Sequence, residues 1–355
     1  MKPFVYEALP GRVIFGDGSL KEVPQELDSL EARSVMLIAS GSSKPLADSL
    51  ADLMGDRVVA RIDQVNPHVP IEDVEEARRL AVDSSTEGVV TIGGGSTIGL
   101  GKNIALEAPV RHLTVPITYS GSEMTPIHGV TINGFKRTGR DSKAKPHTVV
   151  YDPELGRGLA LAVTAGSVMN AMAHCVEALY AERRNPVTSS MAREGLTALH
   201  SGLVRVVSDG FDREGRASLL FGAFLAGTAL GSVGMAIHHK ICHVLGGTFG
   251  LAHGDANAVV LPHVVAANAV AEPEAVADIA GVLGVTDPAA GLFELAASAG
   301  APSSLAQLGM KKVDLDRAAA IVIEHPGFNP RPVDGIWIRE LLEEAFEGKK
   351  PTATA

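Results

Sequence analysis

The sequence predicts an N-terminal α/β domain built on a Rossmann-like parallel sheet, followed by an all-α C-terminal domain. Three observations lead there. Short apolar runs alternate with helical stretches through residues 12–151, the alternation that gives a parallel sheet covered on both faces. A glycine-rich strand-to-helix turn, GVVTIGGGSTIGLGK, lies inside that region at 88–102. After Tyr151-Asp152-Pro153 the apolar spacing is helical to about residue 346, with no convincing strand. The domain boundary therefore falls between residues 1–156 and 157–355.

Bulk properties narrow the function. With 355 residues, 46% of them hydrophobic, the chain has enough apolar surface for two cores. A net charge of −10 gives no electrostatic footprint for nucleic acid. It also means that an anionic substrate needs a local basic pocket. Two cysteines, Cys175 and Cys242, make no disulfide framework and suit the reducing cytoplasm. The N-terminal MKPFVYEALPGR lacks the apolar run of a signal peptide. Residues 217–237 hold no Asp, Glu, Lys or Arg and are long enough to span a bilayer. Their Gly and Ala content, and the histidines they lead into, predict a tightly packed central helix with no membrane partner.

In chain order, RVIFG (12–16) reads as a short strand turning at Gly16-Asp17-Gly18. SVMLIA (34–39) is a buried strand ending in Ser40-Gly41-Ser42-Ser43, with a helix from about Pro45. A strand at 57–62 precedes an amphipathic helix at 71–84, with Val74, Ala77, Leu80 and Ala81 on one side. The strand opening at 88 runs into Gly93-Gly94-Gly95 and a second helix. A strand from His112 to Ile117 follows, then the loop PITYSGSEMTP and extended segments near 128–133 and 147–151. The basic run Lys136, Arg137, Arg140, Lys143 and Lys145 is expected on a solvated hairpin edge.

Two places carry chemistry. At the glycine turn the free N–H groups and the positive helix end attract phosphate, and glycines let the backbone approach it closely. Gly94, Gly95, Ser96 and Thr97 are the candidates there, with Thr118, Ser120 and Ser122 from the next loop and Ser40, Gly41 and Ser42 after the second strand. Loops at the C-terminal edge of such a sheet suit a dinucleotide, NADH or NADPH. No acid stands after the second strand to hold a ribose 2′-OH, so strong rejection of NADPH is not expected. The second place is HHKICHVLGGTFGLAHGDANAVVLPH (238–263), which holds five of the twelve histidines. His239 and His243, four apart, share a helix face, and His253 follows a turn containing Gly246, Gly247 and Gly250. Asn170 and His174 repeat the spacing in NAMAHCVEALY. Polar groups converging from buried helices need a metal, a substrate or water as partner, since each unpaired one costs about 1–3 kcal/mol.

GGGSTIGLGK (93–102), PITYSGSEMTPIHG (116–129), KAKPHTVVYDPEL (143–155) and NAMAHCVEALY (170–180) together resemble the iron-containing alcohol dehydrogenase family, of dehydroquinate synthase-like fold. Within it the likeness is strongest to the maleylacetate reductases. The resemblance implies NAD(P)H-dependent reduction of the C=C bond of a dicarboxylate, maleylacetate, to 3-oxoadipate, and a homodimer. It implies His174, His239 and His253 at metal-ligand positions, with Asn170 where metal-dependent members carry Asp and Gly99 where the glycine loop carries another. A neutral amide does not offset a cation's charge, so metal-independent catalysis is expected. His243 is the expected proton donor, with His174, His239 and His253 stabilising an enolate and Asn170, Lys240 and Tyr119 binding substrate. The alternatives are a metal-dependent alcohol or polyol dehydrogenase, a dehydroquinate synthase-like lyase, and a non-catalytic NAD-binding protein.

Overall fold

A computed structural model of the chain describes residues 3–353, which divide into two compact units. The first runs from Ala8 to Leu159 and the second from Ala160 onward, joined by residues 3–7.

The first unit is built on six parallel strands: β1 (Arg12–Phe15), β2 (Val35–Ala39), β3 (Val58–Ile62), β4 (Gly88–Gly93), β5 (Arg111–Pro116) and β8 (Thr148–Tyr151). Their order across the sheet is β1-β8-β5-β4-β2-β3. Four helices accompany them: α1 (Val23–Ser29), α2 (Lys44–Met54), α3 (Ile71–Asp83) and α4 (Gly95–Glu107). Successive side chains of a strand point to opposite faces, so a sheet covered on both sides needs an unbroken apolar run. VMLIA meets that need. Val35, Leu37 and Ala39 pack with Leu27 and Leu50 from α1 and α2. Met36 and Ile38 pack with Val74, Ala77, Leu100 and Ile104 from α3 and α4. Because β2, β4 and β5 are neighbours and parallel, the loops that follow them share one edge of the sheet.

The expected hairpin is present as β6 (Ile127–Ile132) and β7 (Phe135–Arg140), joined by Asn133-Gly134. Both turn residues have positive φ (51° and 76°), as a two-residue hairpin turn requires. Lys136, Arg137 and Arg140 lie on its mostly exposed second strand. Lys145 departs from the expectation. It is buried, and its Nζ donates to the Pro10 carbonyl at 2.8 Å.

The second unit is helical: α5 (Leu161–Tyr180), α6 (Pro186–Ser208), α7 (Arg213–Val233), α8 (Ile237–Phe249), α9 (His253–Asn268), α10 (Pro273–Leu283), α11 (Pro288–Ser298), α12 (Leu315–Glu324) and α13 (Gly335–Glu347). Helix α7 is long and apolar enough to cross a bilayer, but it packs against α5 and α6. The approach to α6 is close: a Cβ on Gly222 would lie 2.9 Å from the Gly195 carbonyl. The apolar run does not lead straight into the histidines as its composition suggested. It stops at Gly234 (φ 95°), and α8 starts afresh at Ile237. Gly246 and Gly247 likewise lie within α8 rather than in the turn before His253. Gly250, at φ 71°, makes that turn. A core of Leu245, Val260, Val264, Leu315, Val322, Ile338 and Leu342 holds α8 and α9 against α12 and α13.

Candidate active site

Helix α5 places Asn170 and His174 one turn apart and buries both, at 4% and 5% exposure. Helix α8 brings His239 to His174, with ring centroids 4.8 Å apart and planes inclined by 33°. One turn further along α8, the His243 ring centre is 6.3 Å from that of His239. His243 in turn stacks on His253, the first residue of α9, at 5.8 Å and 19°. Three helices thus deliver four imidazoles as a continuous row: His174, His239, His243, His253.

One carboxylate orders this row. Glu177 is the only Asp, Glu, Lys or Arg in α5 and is fully buried. Its Oε2 accepts from the Ala236 N–H (2.7 Å) and from His239 Nδ1 (2.8 Å), while Oε1 accepts from the His239 N–H (3.3 Å). Ala236 is the N-cap of α8 and offers no side-chain cap, so a carboxylate from another helix satisfies the first orphan donors of α8. Burial raises the Glu177 carboxyl, but the charge and hydrogen bond of His239 and the Ala236 N–H together hold it below its ordinary value. With Nδ1 engaged by Glu177, Nε2 is the ring nitrogen that faces a ligand. That Nε2 is buried and has no hydrogen-bond partner among the described residues.

A second support runs through His238. Its Nε2 bonds Asn257 Oδ1 at 2.8 Å, and Asn257 Nδ2 donates to the His253 carbonyl at 2.6 Å. This ties α8 to the first turn of α9. Burial, with the neighbouring His239 charge, lowers His238 to about 4, so it stays neutral near pH 7. Burial raises the Cys175 thiol well above its ordinary value, which removes it as a nucleophile.

The other expected binding residues lie in the Ala8–Leu159 unit, on the loops after β2, β4 and β5. Gly94 is the N-cap of α4, with no side-chain cap. Gly95 faces open space, and Ser96 and Thr97 complete the first turn, so this helix end is left for an anion. Thr118 flanks it: a Cβ on Gly94 would lie 3.1 Å from Thr118 Cγ2. Ser120 and Ser122 stand with their hydroxyl oxygens 3.2 Å apart. Ser40 opens a 3-10 turn over Gly41–Ser43, and its hydroxyl bonds those of Ser42 (3.2 Å) and Ser43 (2.8 Å). Ser43 reaches the Ile92 carbonyl of β4 at 3.1 Å. The nearby acids Asp48 and Asp63 are ion-paired with Arg61, so that turn carries no carboxylate of its own. Tyr119 is buried in this unit, its hydroxyl 2.6 Å from where a Gly156 Cβ would stand, and it is not part of the histidine row. Lys240 is half-buried beside His239 and makes no ion pair among the described residues.

Lys102 of α4 has a clearer role than sequence reading assigned it. Its buried Nζ donates to the Ser122, Thr125 and Ile127 carbonyls and to Thr125 Oγ1, at 2.5, 2.9, 2.8 and 3.1 Å. It clamps the loop that carries Thr118, Ser120 and Ser122. Burial lowers it to about 7, against the pull of the buried Glu123 carboxylate. Glu177 was also missed, although a lone carboxylate in an otherwise apolar helix is a legible signal. Asn257 had no such signal.

Two family models match the chain. "Iron-containing alcohol dehydrogenase" covers residues 10–153, and "Fe-containing alcohol dehydrogenase family, C-terminal" covers residues 164–346. The chain belongs to the iron-containing alcohol dehydrogenase family. Within that family it is 44% identical over 352 residues to maleylacetate reductase of Burkholderia cepacia, covering 99% of this chain and 100% of that protein. Among solved structures, maleylacetate reductase from Agrobacterium tumefaciens superposes with a TM-score of 0.93 at 43% identity, covering 99% of this chain and all of the other. The maleylacetate reductase of Rhizobium sp. strain MTP-10005 gives 0.92 at 42%, with the same coverage. The dehydroquinate synthase-like expectation of an α/β unit followed by a helical one holds, and family membership makes the chain an oxidoreductase.

The family's name raises the question of a metal. The resemblance puts Asn170, His174, His239 and His253 at the ligand positions. That donor set is three imidazoles and an amide with no anionic oxygen. The carboxylate beside His239, Glu177, is turned to His239 Nδ1 and two backbone N–H groups. Among the described residues no three His, Cys, Asp or Glu side chains converge in ligand geometry. Three imidazoles are a set that catalytic zinc accepts, while the Asn170 amide brings the cation no charge.

Proposed function

We propose that the chain is an NAD(P)H-dependent maleylacetate reductase, which reduces the C=C bond of maleylacetate to give 3-oxoadipate in the breakdown of aromatic compounds. The observation that carries this reading is the row of four imidazoles with no anionic ligand among them. Such a row donates hydrogen bonds and protons to a dianion, where a metal site would instead polarise a carbonyl.

Hydride from the nicotinamide adds to the alkene carbon β to the ketone. The C=C electron pair shifts toward the ketone and forms an enolate, and a proton then reaches the adjacent carbon, so that one NAD(P)H and one proton are consumed per turnover. His239, when it carries a proton on both ring nitrogens against the Glu177 carboxylate, donates from Nε2 to the enolate oxygen. His243, one turn away and less buried, supplies the proton, and His174, His253 and Asn170 orient the substrate. The Lys240 ammonium attracts a substrate carboxylate. The cofactor lies on residues 94–97, Thr118, Ser120 and Ser122, with its ribose toward Ser40, Gly41 and Ser42. That turn has no acid to repel a 2′-phosphate, so NADPH is not strongly rejected. The enzyme works in the cytoplasm, with no membrane or nucleic-acid partner. It pairs as a homodimer through edge strand β1, where Phe15 is 42% exposed.

The test is consumption of NADH with maleylacetate by protein stripped of metal with a chelator. Full turnover supports the reading. Turnover restored only by iron or zinc makes His174, His239 and His253 ligands and returns the reaction to the metal-dependent class. His243→Ala should lower kcat by about 100-fold or more while KM moves little. Comparable losses in both would place His243 in binding instead.

A further inference from the structure

Four histidines explain where protons and hydrogen bonds come from, but not why one of the four presents a particular nitrogen. An isolated imidazole exchanges tautomers freely and rotates about its side-chain bonds, so a donor that works at one point needs an outside constraint. The structure provides it at His239. Glu177 reaches from α5 to α8 and engages three donors that belong to two residues: the Ala236 N–H, the His239 N–H and His239 Nδ1. The backbone contacts fix where the helix begins, and the ring contact fixes how the imidazole is turned. Both depend on the same carboxylate. The ring cannot swing away without leaving a fully buried anion short of a donor, which is costly.

We infer that Glu177 is a positioning residue for the reduction: it holds His239 as the Nδ1–H tautomer, so that Nε2 is directed at the substrate. It touches neither substrate nor cofactor and acts through His239. This inference rests on the proposed reductase reading for its kinetic consequence, but not for its structural one.

Two variants test it. Glu177→Gln keeps an oxygen to accept from Nδ1–H, removes the charge and sets an amide N–H against the His239 backbone N–H. Glu177→Leu keeps the bulk and removes every acceptor. Nitrogen-15 imidazole spectra of the ligand-free protein, recorded at alkaline pH, read the tautomer directly. The wild type and Glu177→Gln should show His239 protonated on Nδ1, and Glu177→Leu should show it on Nε2. With maleylacetate, kcat should fall about 10-fold in Glu177→Gln and about 100-fold in Glu177→Leu, with KM for both substrates within about threefold of wild type.

A role in helix capping alone would lower the melting temperature and leave kcat per folded molecule unchanged; that result overturns the inference. So does a wild type with His239 protonated on Nε2. If Glu177→Leu does not fold, Glu177→Gln decides alone: wild-type kcat overturns, and a tenfold loss at unchanged KM supports. If the wild type does not turn over maleylacetate, the reductase reading fails, and the tautomer spectra still judge Glu177 independently.

Discussion

Replacing Lys102 with methionine isolates what the clamp on the cofactor loop does. Methionine matches the lysine stem in length and apolar bulk, so the cavity term is small. The loss is polar. The Ser122 carbonyl keeps two donors, the Thr125 N–H and hydroxyl, and suffers little. The Thr125 and Ile127 carbonyls lose a charge-assisted donor at 2.9 and 2.8 Å, and each buried acceptor left short costs about 1–3 kcal/mol. Glu123, fully buried and accepting from the Tyr151 hydroxyl at 2.6 Å, loses its neighbouring cation. Against this, an ammonium no longer has to be desolvated. Removing one partner from such a buried group leaves a net destabilisation of about 3–5 kcal/mol. Urea unfolding at about pH 6, where an ammonium that burial lowers to about 7 is mostly charged, measures it. The loosened loop carries Thr118, Ser120 and Ser122, so the Kd for NADH, read by fluorescence titration, should rise about tenfold, roughly 1.4 kcal/mol. A loss of stability below about 1 kcal/mol would refute the clamp. Full destabilisation with an unchanged Kd for NADH would show that it supports the fold without shaping the cofactor site.

Asn170→Asp places an anionic oxygen one turn from His174 and supplies the charge that the donor set lacks. After incubation with zinc or ferrous iron the variant should retain about one equivalent by elemental analysis and the wild type much less; equal retention would show that the amide is no obstacle. Acid should destabilise the protein through its buried histidines. Burial, aided by the Lys102 charge, lowers His112 to about 3, and burial lowers His263 to about 4, from an ordinary value of 6.5. Below about 6.5 the unfolded chain therefore binds protons that the folded one refuses, so stability falls as pH drops from about 6.5 toward 4. Each histidine adds about 1.4 kcal/mol per pH unit to that slope. His263→Gln should flatten the fall, seen as a smaller drop in Tm between neutral and acidic buffer; an unchanged slope would mean that His263 does not contribute.

Much of this protein is written locally. Five-residue apolar runs such as VMLIA are buried on both faces because nothing polar interrupts them, and that settles the parallel sheet without reference to distant residues. Asn133-Gly134 sets the hairpin because few other pairs accept positive φ twice in succession. The spacing of His239 and His243 puts both on one helix face by geometry alone. Contacts between distant segments were not legible in this way. The run at 217–237 reads as unbroken, since hydropathy does not register that Gly234 ends one helix and that the next begins where Glu177 caps it. Lys145 reads as one of five surface cations until the Pro10 carbonyl buries it. Lys102 and Glu177 look ordinary in the chain because their partners lie 20–25 and 59–62 residues away. The sequence alone determined which elements form and which side chains carry chemistry, because propensity and periodicity act over a few residues. Only the tertiary structure decided which buried charge meets which donor, because the penalty for an unpaired charge is settled after the helices have packed.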